Sequence, residues 1–264
     1  MNIVVLLAGI VDTNWPLRGL ELGPDGGVSG DEKLPRKLSP FDEAALETAL
    51  QLRARNSEAS ITALLFGEVQ SEQLLRTAAA HRLQALFCVE HDPARRWDVN
   101  QVAQALKNAI DTLDSSPDLV LIGREFGDTD DGSLPSYLAE VLGWRFVSMA
   151  QEITYEEGAL NIRRVRGNAD EWLRLTAPAI ASITNDKTNR LRHPLLKNVM
   201  LAKRESFGTI TMPRESAPPR LKPRAINVQE ATRRSEAART ILSGPIESQI
   251  AELAAYLKQW RSPA

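Results

Sequence analysis

Residue types that bind metals or act as nucleophiles are few in this sequence. Its 264 residues include three histidines (His81, His91 and His193) and a single cysteine, Cys88. No histidine has a second histidine or a carboxylate at metal-ligand spacing on one helical face, and Cys88 lies in an apolar run that favours a buried, inert thiol. Neither a Gly-x-Ser-x-Gly elbow, a Walker loop nor a Gly-x-Gly-x-x-Gly fingerprint occurs. The sequence therefore predicts no catalytic centre, no metal site and no enzyme activity of its own.

Residues 123–136 form the most unusual segment, because a glycine-containing stretch joins an apolar run to a helical pattern. Backbone N–H groups at such a strand-to-helix junction are able to cradle a phosphate. Three aspartates within four residues, Asp128, Asp130 and Asp131, would repel that anion unless a cation or the helix dipole offsets them. The alternative is an acidic surface loop capped by Ser133, and the chemistry alone favours this alternative.

Residues 189–204 form a basic segment that also contains adjacent leucines at positions 195 and 196. One interpretation is a solvated amphipathic helix. The other is a docking surface, in which an apolar anchor is ringed by cations that steer an acidic partner. Composition does not decide between them.

The elements that would position these segments follow an α/β pattern. Short apolar runs alternate with helical periodicity, which is typical of a sheet covered on both faces. Strands are predicted at residues 3–8, 60–66, 85–89, 119–122 and 179–184. Helices are predicted from Ser39 onward, where a capping serine precedes a proline, and at residues 70–81, 98–113 and 134–142. We expect a mostly parallel, twisted sheet with helices on both faces, whose ligand-binding loops lie at the carboxyl ends of the strands.

Additional segments extend this core. Residues 11–38 contain five glycines and three prolines, so a hairpin insertion with its tip at residues 23–30 is expected. Residues 152–154, 159–166 and 171–176 predict three more strands, and the proline-rich residues 212–222 predict an extended linker. A final amphipathic helix at residues 246–260 either returns to its own domain or grips another chain. We expect a nucleotide-binding-like α/β domain over residues 1–210 and a C-terminal arm over residues 211–264.

Charge and hydropathy narrow the classes of function. The formal net charge is −2, which gives no global field for nucleic acid or for an anionic membrane. No apolar run approaches the roughly 18 residues that span a membrane. The first apolar run has no basic segment before it, so it predicts a buried strand and not a signal peptide. We expect a cytoplasmic protein that binds no nucleic acid and is not embedded in a membrane.

Four segments resemble the signatures of electron-transfer flavoprotein β subunits. In chain order they are Ser39-Pro-Phe-Asp-Glu-Ala-Ala-Leu-Glu-Thr-Ala, Asp118-Leu-Val-Leu-Ile-Gly, Leu173-Arg-Leu-x-x-Pro-Ala and Leu196-Lys-Asn-Val-Met-Leu-Ala-Lys. No single segment is decisive, but all four have the order and spacing of the family. The resemblance covers residues 1–210 well and the C-terminal arm loosely.

The resemblance implies a heterodimer in which a larger α subunit holds most of the FAD. The β subunit closes one side of the flavin and, in the common form, buries one AMP as a structural ligand. The flavin accepts electrons from a dehydrogenase and passes them to a membrane quinone reductase.

The flavin-side residues carried over are Asp12, Thr13, Pro40 and Phe41. The AMP residues carried over are Leu6, Ser39, Phe66, Gly67, Gly123, Asp128, Asp131, Gly132, Ser133, Leu134 and Ser136. The docking residues carried over are Arg192, Leu196, Lys197, Met200 and Lys203, with Leu196 as the anchor; the C-terminal arm reaches over the α subunit.

The AMP site is where the chain departs most from the family. Ala8 replaces a usual lysine, and Ser39 replaces a usual asparagine. Ser133-Leu-Pro replaces Gln-Thr-Gly or Gln-Val-Gly, and Pro135 has no backbone N–H to offer a phosphate. We therefore expect AMP to bind weakly or not at all. On the flavin side Thr13 stands where an aromatic residue is frequent, and an apparent insertion near residues 186–189 alters the approach to the docking segment.

Two other classes of protein compete with an electron-carrier subunit. A stand-alone adenine-nucleotide sensor would share the α/β scaffold, but the proline-rich linker and the terminal apolar helix argue against it. A hydrolase of adenosine derivatives would need a phosphate-binding loop or a metal cluster, and the sequence predicts neither.

Overall fold

A computed structural model describes residues 1–15, 21–22, 28–29, 34–67, 72–92, 95–212 and 241–261. The chain divides into two compact units, Met1–Arg224 and Ala225–Ala264. No helix in the described residues is both long enough and apolar enough to cross a membrane.

The first unit is built on a mixed sheet. In chain order its elements are β1 (Asn2–Leu7), β2 (Ile10–Val11), β3 (Glu21–Leu22), β4 (Val28–Ser29), β5 (Arg36–Lys37), α1 (Pro40–Arg55), β6 (Ser60–Phe66), α2 (Glu72–Ala79), β7 (Ala85–Glu90), α3 (Val99–Asp111), β8 (Leu119–Gly123), α4 (Leu134–Leu142), β9 (Arg145–Glu156), β10 (Ala159–Arg166), β11 (Ala169–Thr176), β12 (Ala179–Ile183), α5 (Leu196–Ala202) and β13 (Gly208–Thr211). Nine strands of the described residues form the main sheet, in the order β11-β10-β9-β12-β8-β1-β6-β7-β13. Neighbouring strands from β9 to β13 in this order are parallel, while β10 and β11 add an antiparallel extension.

Alternating side chains of the central strand β1 serve two hydrophobic cores. Ile3, Val5 and Leu7 pack on one face of the sheet with apolar residues of α1 and α2. Val4 and Leu6 point to the other face, where they pack with residues of α3 and α4. Because successive strand residues point to opposite faces, a continuous apolar run is what a strand covered on both sides requires. The predicted α/β sheet with helices on both faces is confirmed.

Two helices begin at residues whose side chains cap them, and the sequence indicated the first of these caps. Ser39 is the N-cap of α1, where its hydroxyl accepts from the N–H of Asp42 (2.9 Å) and the Asp42 carboxylate accepts from the N–H of Ser39 (2.9 Å). This reciprocal pair is a capping box. Asp98 caps α3 through the N–H groups of Asn100 and Gln101. Each cap removes unsatisfied backbone donors from a helix start that faces the sheet edge.

Most predicted boundaries agree with the structure within a few residues, and residues 60–66 and 134–142 match β6 and α4. The strand predicted from residue 152 begins at Arg145, because its first half lies beside β12 in the parallel sheet. Strand β13 was not predicted, since its four residues are mostly exposed and form no apolar run. Of the predicted hairpin, the structure describes two short antiparallel pairs, β2 with β5 and β3 with β4. Residues 23–27, most of the predicted tip, and residues 213–222 of the predicted linker lie outside the described residues.

The second unit contains the predicted C-terminal helix, α6 (Ile246–Arg261). Its apolar residues Ile246, Ile250, Leu253 and Leu257 are exposed, and they recur at helical spacing. The side chain of Trp260, which the sequence places on the same stripe, lies outside the described residues.

Candidate functional site

A single buried carboxylate joins the end of β1 to the start of α1. Asp42, on the first turn of α1, accepts hydrogen bonds from the N–H groups of Ala8 (3.3 Å), Gly9 (3.0 Å) and Ser39 (2.9 Å). Burial raises the pKa of Asp42, and the hydrogen bonds from these donors partly offset the rise. The Asp42 carboxyl group therefore links the end of β1 to the start of α1 through hydrogen bonds from three backbone N–H groups.

Gly9 allows the chain to leave β1 at this point. Its φ is +70°, and a Cβ there would lie 2.5 Å from Leu74 Cδ1 and 3.1 Å from the carbonyl oxygen of Lys37. A larger residue would therefore be strained both in its backbone and in its contacts.

Asp12 and Thr13, two of the predicted flavin-side residues, follow directly after β2. Asp12 forms an ion pair of 2.9 Å with Lys37. The hydrogen bond from Lys37, followed by that from the backbone of Asn14, lowers the pKa of Asp12. The neighbouring Thr13 is exposed. Since Lys37 ends β5 just before α1, the ion pair brings the turn after β2 towards the start of α1.

Pro40 and Phe41, the other two predicted flavin-side residues, form the first turn of α1. Pro40 is exposed and Phe41 is half-buried. The guanidinium carbon of Arg124 lies 4.7 Å from the centroid of the Phe41 ring, a cation–π contact. A Cβ at Gly123 would lie 2.8 Å from Phe41 Cβ, so the glycine at the end of β8 lets α1 approach this closely. The resulting surface is partly apolar and open to solvent at Pro40.

The loop between β8 and α4 contacts the base of the β2–β5 pair. Asp128 accepts from the backbone N–H of Val11 (3.2 and 3.3 Å to its two oxygens) and from Nη2 of Arg36 (2.8 Å). Asp128, predicted as an AMP residue, is therefore already engaged in an ion pair that fastens this loop.

Asp130 occupies the N-terminus of α4. Its Oδ1 accepts from the N–H of Ser133 (2.9 Å), the hydroxyl of Ser133 (2.8 Å) and the N–H of Leu134 (3.1 Å). Ser133, which the sequence indicated as the cap, makes no side-chain cap hydrogen bond and instead donates to Asp130. The N–H groups of Ser133 and Leu134 are thus bonded to Asp130, and Pro135 has no N–H, so these three positions offer no free donor to a phosphate. The arrangement does not fit the phosphate of AMP.

The remaining predicted AMP residues differ in burial, and two of them make contacts within the fold. Leu6 and Leu134 are buried, Gly132 is half-buried, and Asp131 and Ser136 are exposed. The N–H of Gly67 donates to the carbonyl of Val89 (3.2 Å). The ring of Phe66 lies 4.9 Å from that of His91 and 5.9 Å from that of the buried Phe126, centroid to centroid. The structure thus brings an aromatic cluster to the ends of β6, β7 and β8, and the sequence indicated only Phe66 of the three.

The predicted docking segment contains α5, whose exposed side chains are apolar and basic. Leu196 is 77% exposed, and the neighbouring Leu195 and Met200 are exposed as well. Lys197 and Lys203 are also exposed. The sequence left open a solvated amphipathic helix or a docking surface. The structure has a short helix here, and its leucines are exposed to solvent, which is compatible with both interpretations. Arg192 differs from the other predicted docking residues, because its guanidinium is paired with Glu47 of α1.

Sequence reasoning missed the residues that hold these segments in place: Asp42, Glu47, Asp130 as a cap, and Asn189. Asp42 was detectable, because it lies three residues after the N-cap serine in a capping-box pattern. Glu47 was not, since its partner Arg192 is 145 positions away in sequence.

The fold defines a class: an α/β domain with a mostly parallel sheet, in which the carboxylates of Asp42, Asp128 and Asp130 accept hydrogen bonds from backbone N–H groups near the carboxyl ends of β1 and β8. Among the described residues, no group of three or more histidine, cysteine or acidic side chains is placed to hold a metal ion.

Comparisons with known proteins identify the family. The profile of the electron transfer flavoprotein domain matches residues 27–212. An electron transfer flavoprotein subunit beta from Mycobacterium bovis is 31% identical over 216 residues, covering 80% of this chain and 79% of the relative. A protein of Oryza sativa subsp. indica named electron transfer flavoprotein subunit beta, mitochondrial, is 28% identical over 212 residues, covering 80% and 82%. A subunit beta from Dictyostelium discoideum is 27% identical over 237 residues, covering 89% and 91%. This chain belongs to the electron transfer flavoprotein domain family.

Proposed function

We propose that this chain is the β subunit of a heterodimeric electron-transfer flavoprotein, an electron carrier and not a bond-making enzyme. The observation that carries the proposal is the relationship to proteins named subunit beta, which extends over 80% of the chain in the Mycobacterium bovis relative. In this function a larger α subunit holds most of the FAD, and the complex takes electrons from a dehydrogenase and delivers them to a quinone reductase. We propose a cytoplasmic location.

The flavin-side surface fits one face of a planar, largely apolar ring system. Pro40 is exposed and Phe41 is half-buried on the first turn of α1, and the exposed Thr13 adds a hydroxyl beside the Asp12–Lys37 ion pair. These residues would form a wall along the flavin, excluding water from one side, while the partner subunit supplies the rest of the site. FAD, when bound, accepts and releases the electrons, which the side chains of this surface do not do.

The α5 surface is the proposed docking site for the electron donor. The exposed Leu196 supplies an apolar anchor, and Lys197 and Lys203 supply positive charge around it. An apolar centre with a cationic rim suits a transient interface with an acidic partner, because the centre contributes affinity and the rim mainly increases the association rate.

The C-terminal arm is the proposed grip on the α subunit. The exposed stripe of α6, formed by Ile246, Ile250, Leu253 and Leu257, is apolar enough to need a partner. We propose that residues 211–264 reach over the α subunit and that this stripe packs there.

Co-expression tests the proposal. The chain is produced with and without an electron-transfer flavoprotein α subunit from the same organism, and the purified species are assayed for mass and for FAD. We expect a stable heterodimer with about one FAD per complex. The absorbance of that flavin should be bleached by a flavin-dependent dehydrogenase and its substrate. A well-behaved monomer that binds AMP tightly and recruits no second subunit would contradict the proposal and would indicate a nucleotide sensor.

A further inference from the structure

The residues that lead from β12 to α5 contain no helix or strand, yet they are extensively hydrogen-bonded. The side chain of Asn189 is 1% exposed, and its Nδ2 donates to the carbonyls of Thr184 (2.9 Å) and Gln151 (3.3 Å). Its Oδ1 accepts from the N–H of Asp186 (2.7 Å). A loop that buries a fully bonded amide is built to hold one conformation.

Glu47 fastens the same loop to α1 at a second point. The side chain of Glu47 is 5% exposed, and that of Arg192 is 47% exposed. Nε of Arg192 lies 3.1 and 2.9 Å from the two carboxylate oxygens, Nη2 donates at 2.6 Å, and the backbone N–H of Arg192 donates at 3.1 Å. One carboxylate therefore binds both the guanidinium and the main chain of the same residue.

Gln51, one turn further along α1, strengthens this attachment. Its Nε2 donates to the carbonyl of Thr188 (2.8 Å) and to Glu47 Oε1 (3.2 Å). The half-buried Leu191 packs against the main hydrophobic core next to these contacts. The loop is thus fixed by α1 immediately before the exposed leucines begin.

This attachment determines where the exposed leucines lie. Only His193 and Pro194 separate Arg192 from Leu195, and Leu196 follows. On the other side, Val199 and Ala202 of α5 pack against α2. The two leucines therefore project into solvent from a segment anchored at both ends.

We propose that Glu47 is a positioning residue for donor docking: through its ion pair with Arg192 it holds the loop of residues 186–195 so that Leu195 and Leu196 are presented in a fixed geometry. The proposal rests on the proposed docking function of α5. It assigns Arg192 a role different from that of Lys197 and Lys203, because its charge is already neutralised by Glu47. A preorganised surface loses less conformational entropy on binding, so loosening it weakens association without touching the flavin.

The experiment compares Glu47→Gln and Arg192→Gln with Arg192→Lys, all in the heterodimer. Lysine at position 192 keeps the charge but cannot form the bidentate contact, so Arg192→Lys should restore little of the loop order or of the wild-type KM. The matched control is Arg190→Gln, which removes the same charge from an exposed side chain two positions away. Hydrogen–deuterium exchange of residues 186–196 measures loop order without any donor. Steady-state reduction by the dehydrogenase that reduces the wild-type heterodimer gives KM and kcat separately.

We expect faster exchange over residues 186–196 in both Glu47→Gln and Arg192→Gln. The KM of the dehydrogenase for the heterodimer should be raised by roughly tenfold at all salt concentrations. The FAD content and kcat should stay at wild-type values. Arg190→Gln should leave the exchange unchanged and affect KM only at low salt. Unchanged exchange in Glu47→Gln and Arg192→Gln, or faster exchange with an unchanged KM, would overturn the proposal. If no dehydrogenase reduces even the wild-type heterodimer, the proposed function fails, and the proposal that Glu47 positions a docking surface fails with it; the exchange data then show only whether the ion pair orders the loop.

Discussion

Oδ1 of Asp130 accepts both the backbone N–H and the hydroxyl of Ser133, at 2.9 and 2.8 Å. An anion at a helix N-terminus needs these donors and the positive end of the helix dipole. Here the chain supplies its own anion, four residues before the first residue of α4. The carboxylate therefore stands where the phosphate of a bound nucleotide would be expected.

AMP should consequently bind weakly or be absent, and Asp130→Ala should improve its binding. Freed N–H groups at Ser133 and Leu134 would gain a charged partner, which corresponds to roughly tenfold in affinity at about 1.5 kcal/mol per hydrogen bond to a charged group. The measurement is calorimetric titration of the heterodimer with AMP, together with an assay of nucleotide released on denaturation. One AMP per wild-type dimer would contradict the expectation.

The control for that experiment is Asp131→Ala. Asp131 carries the same charge on an exposed side chain at the next position. Its removal should improve AMP binding only slightly, and the improvement should disappear at high salt because exposed charges are screened. Equal effects of the two variants would indicate general repulsion and not an occupied N-terminus.

Leu196→Ala should reduce electron transfer from the donor dehydrogenase without unfolding the protein. The side chain is 77% exposed, so its loss removes buried area only from a transient interface, about 1–3 kcal/mol. Val199→Ala on the same helix is the matched contrast: Val199 packs against α2, so this change should cost about 1–2 kcal/mol of stability. Melting temperature and reduction rate are measured on one preparation. A Leu196→Ala protein with a wild-type rate would place the docking site elsewhere.

Asp42→Ala should destabilise the domain by about 2–4 kcal/mol, because it leaves the N–H groups of Ala8, Gly9 and Ser39 without their acceptor. Asp42→Asn keeps one acceptor oxygen and should fall between wild type and Asp42→Ala. Urea denaturation followed by tryptophan fluorescence measures the difference. As a control, Asp111→Ala removes an exposed carboxylate and should change stability by less than about 0.5 kcal/mol.

The chain expressed alone should be nearly colourless and should self-associate, since the apolar stripe of α6 would lack its partner. Leu253→Asp together with Leu257→Asp should make the isolated chain more monodisperse and should weaken the heterodimer. Replacing the exposed Glu252 by Gln should do neither. Light scattering after gel filtration reports the mass. A stable yellow monomer with stoichiometric FAD would disprove this expectation.

The contribution of Glu47 to stability should be lost in acid. Burial alone would raise the pKa of Glu47, but hydrogen bonds from Arg192 and Gln51 outweigh it, so the net pKa is lowered. A carboxylate with a lowered folded pKa stabilises the protein above its unfolded pKa, about 4.3, and this contribution disappears as the pH falls through the folded value. The difference in melting temperature between wild type and Glu47→Gln should therefore shrink as the pH falls below that point.

Two other titratable groups, His81 and Arg53, interact with the Glu47–Arg192 pair and bear on that measurement. Burial lowers the pKa of His81, which follows α2. Its protonation therefore destabilises the fold below about pH 6.5, a higher pH than the one at which the Glu47 contribution is lost. The pKa of Arg53, on α1, is lowered by burial and then by Arg192, but it stays charged across this range. Arg53 is charged in both proteins, but the Glu47 carboxylate raises the pKa of His81, so Glu47→Gln should lower that pKa further and widen the difference below about pH 6.5 before the difference shrinks in stronger acid. A difference that stays constant down to strongly acidic pH would argue against an ionised Glu47.

The sequence by itself determined the features that depend on near neighbours. Continuous apolar runs such as residues 3–8 predicted strands covered on both faces, and Ser39 followed by Pro40 predicted the start of α1. Four motifs in order predicted the family. These signals are local because period, capping and motif spacing are properties of a few consecutive residues.

Tertiary structure decided how those elements hold the site. Asp42 reaches Ala8 across 34 positions, and Arg192 reaches Glu47 across 145, because the parallel strand order places the end of β1, α1 and the loop after β12 side by side. Arg192 and Lys197 are equivalent in a sequence of basic residues, yet one is bound to a buried carboxylate and the other faces solvent. A long-range ion pair depends on which surfaces the fold brings together, and no local pattern of residues records that.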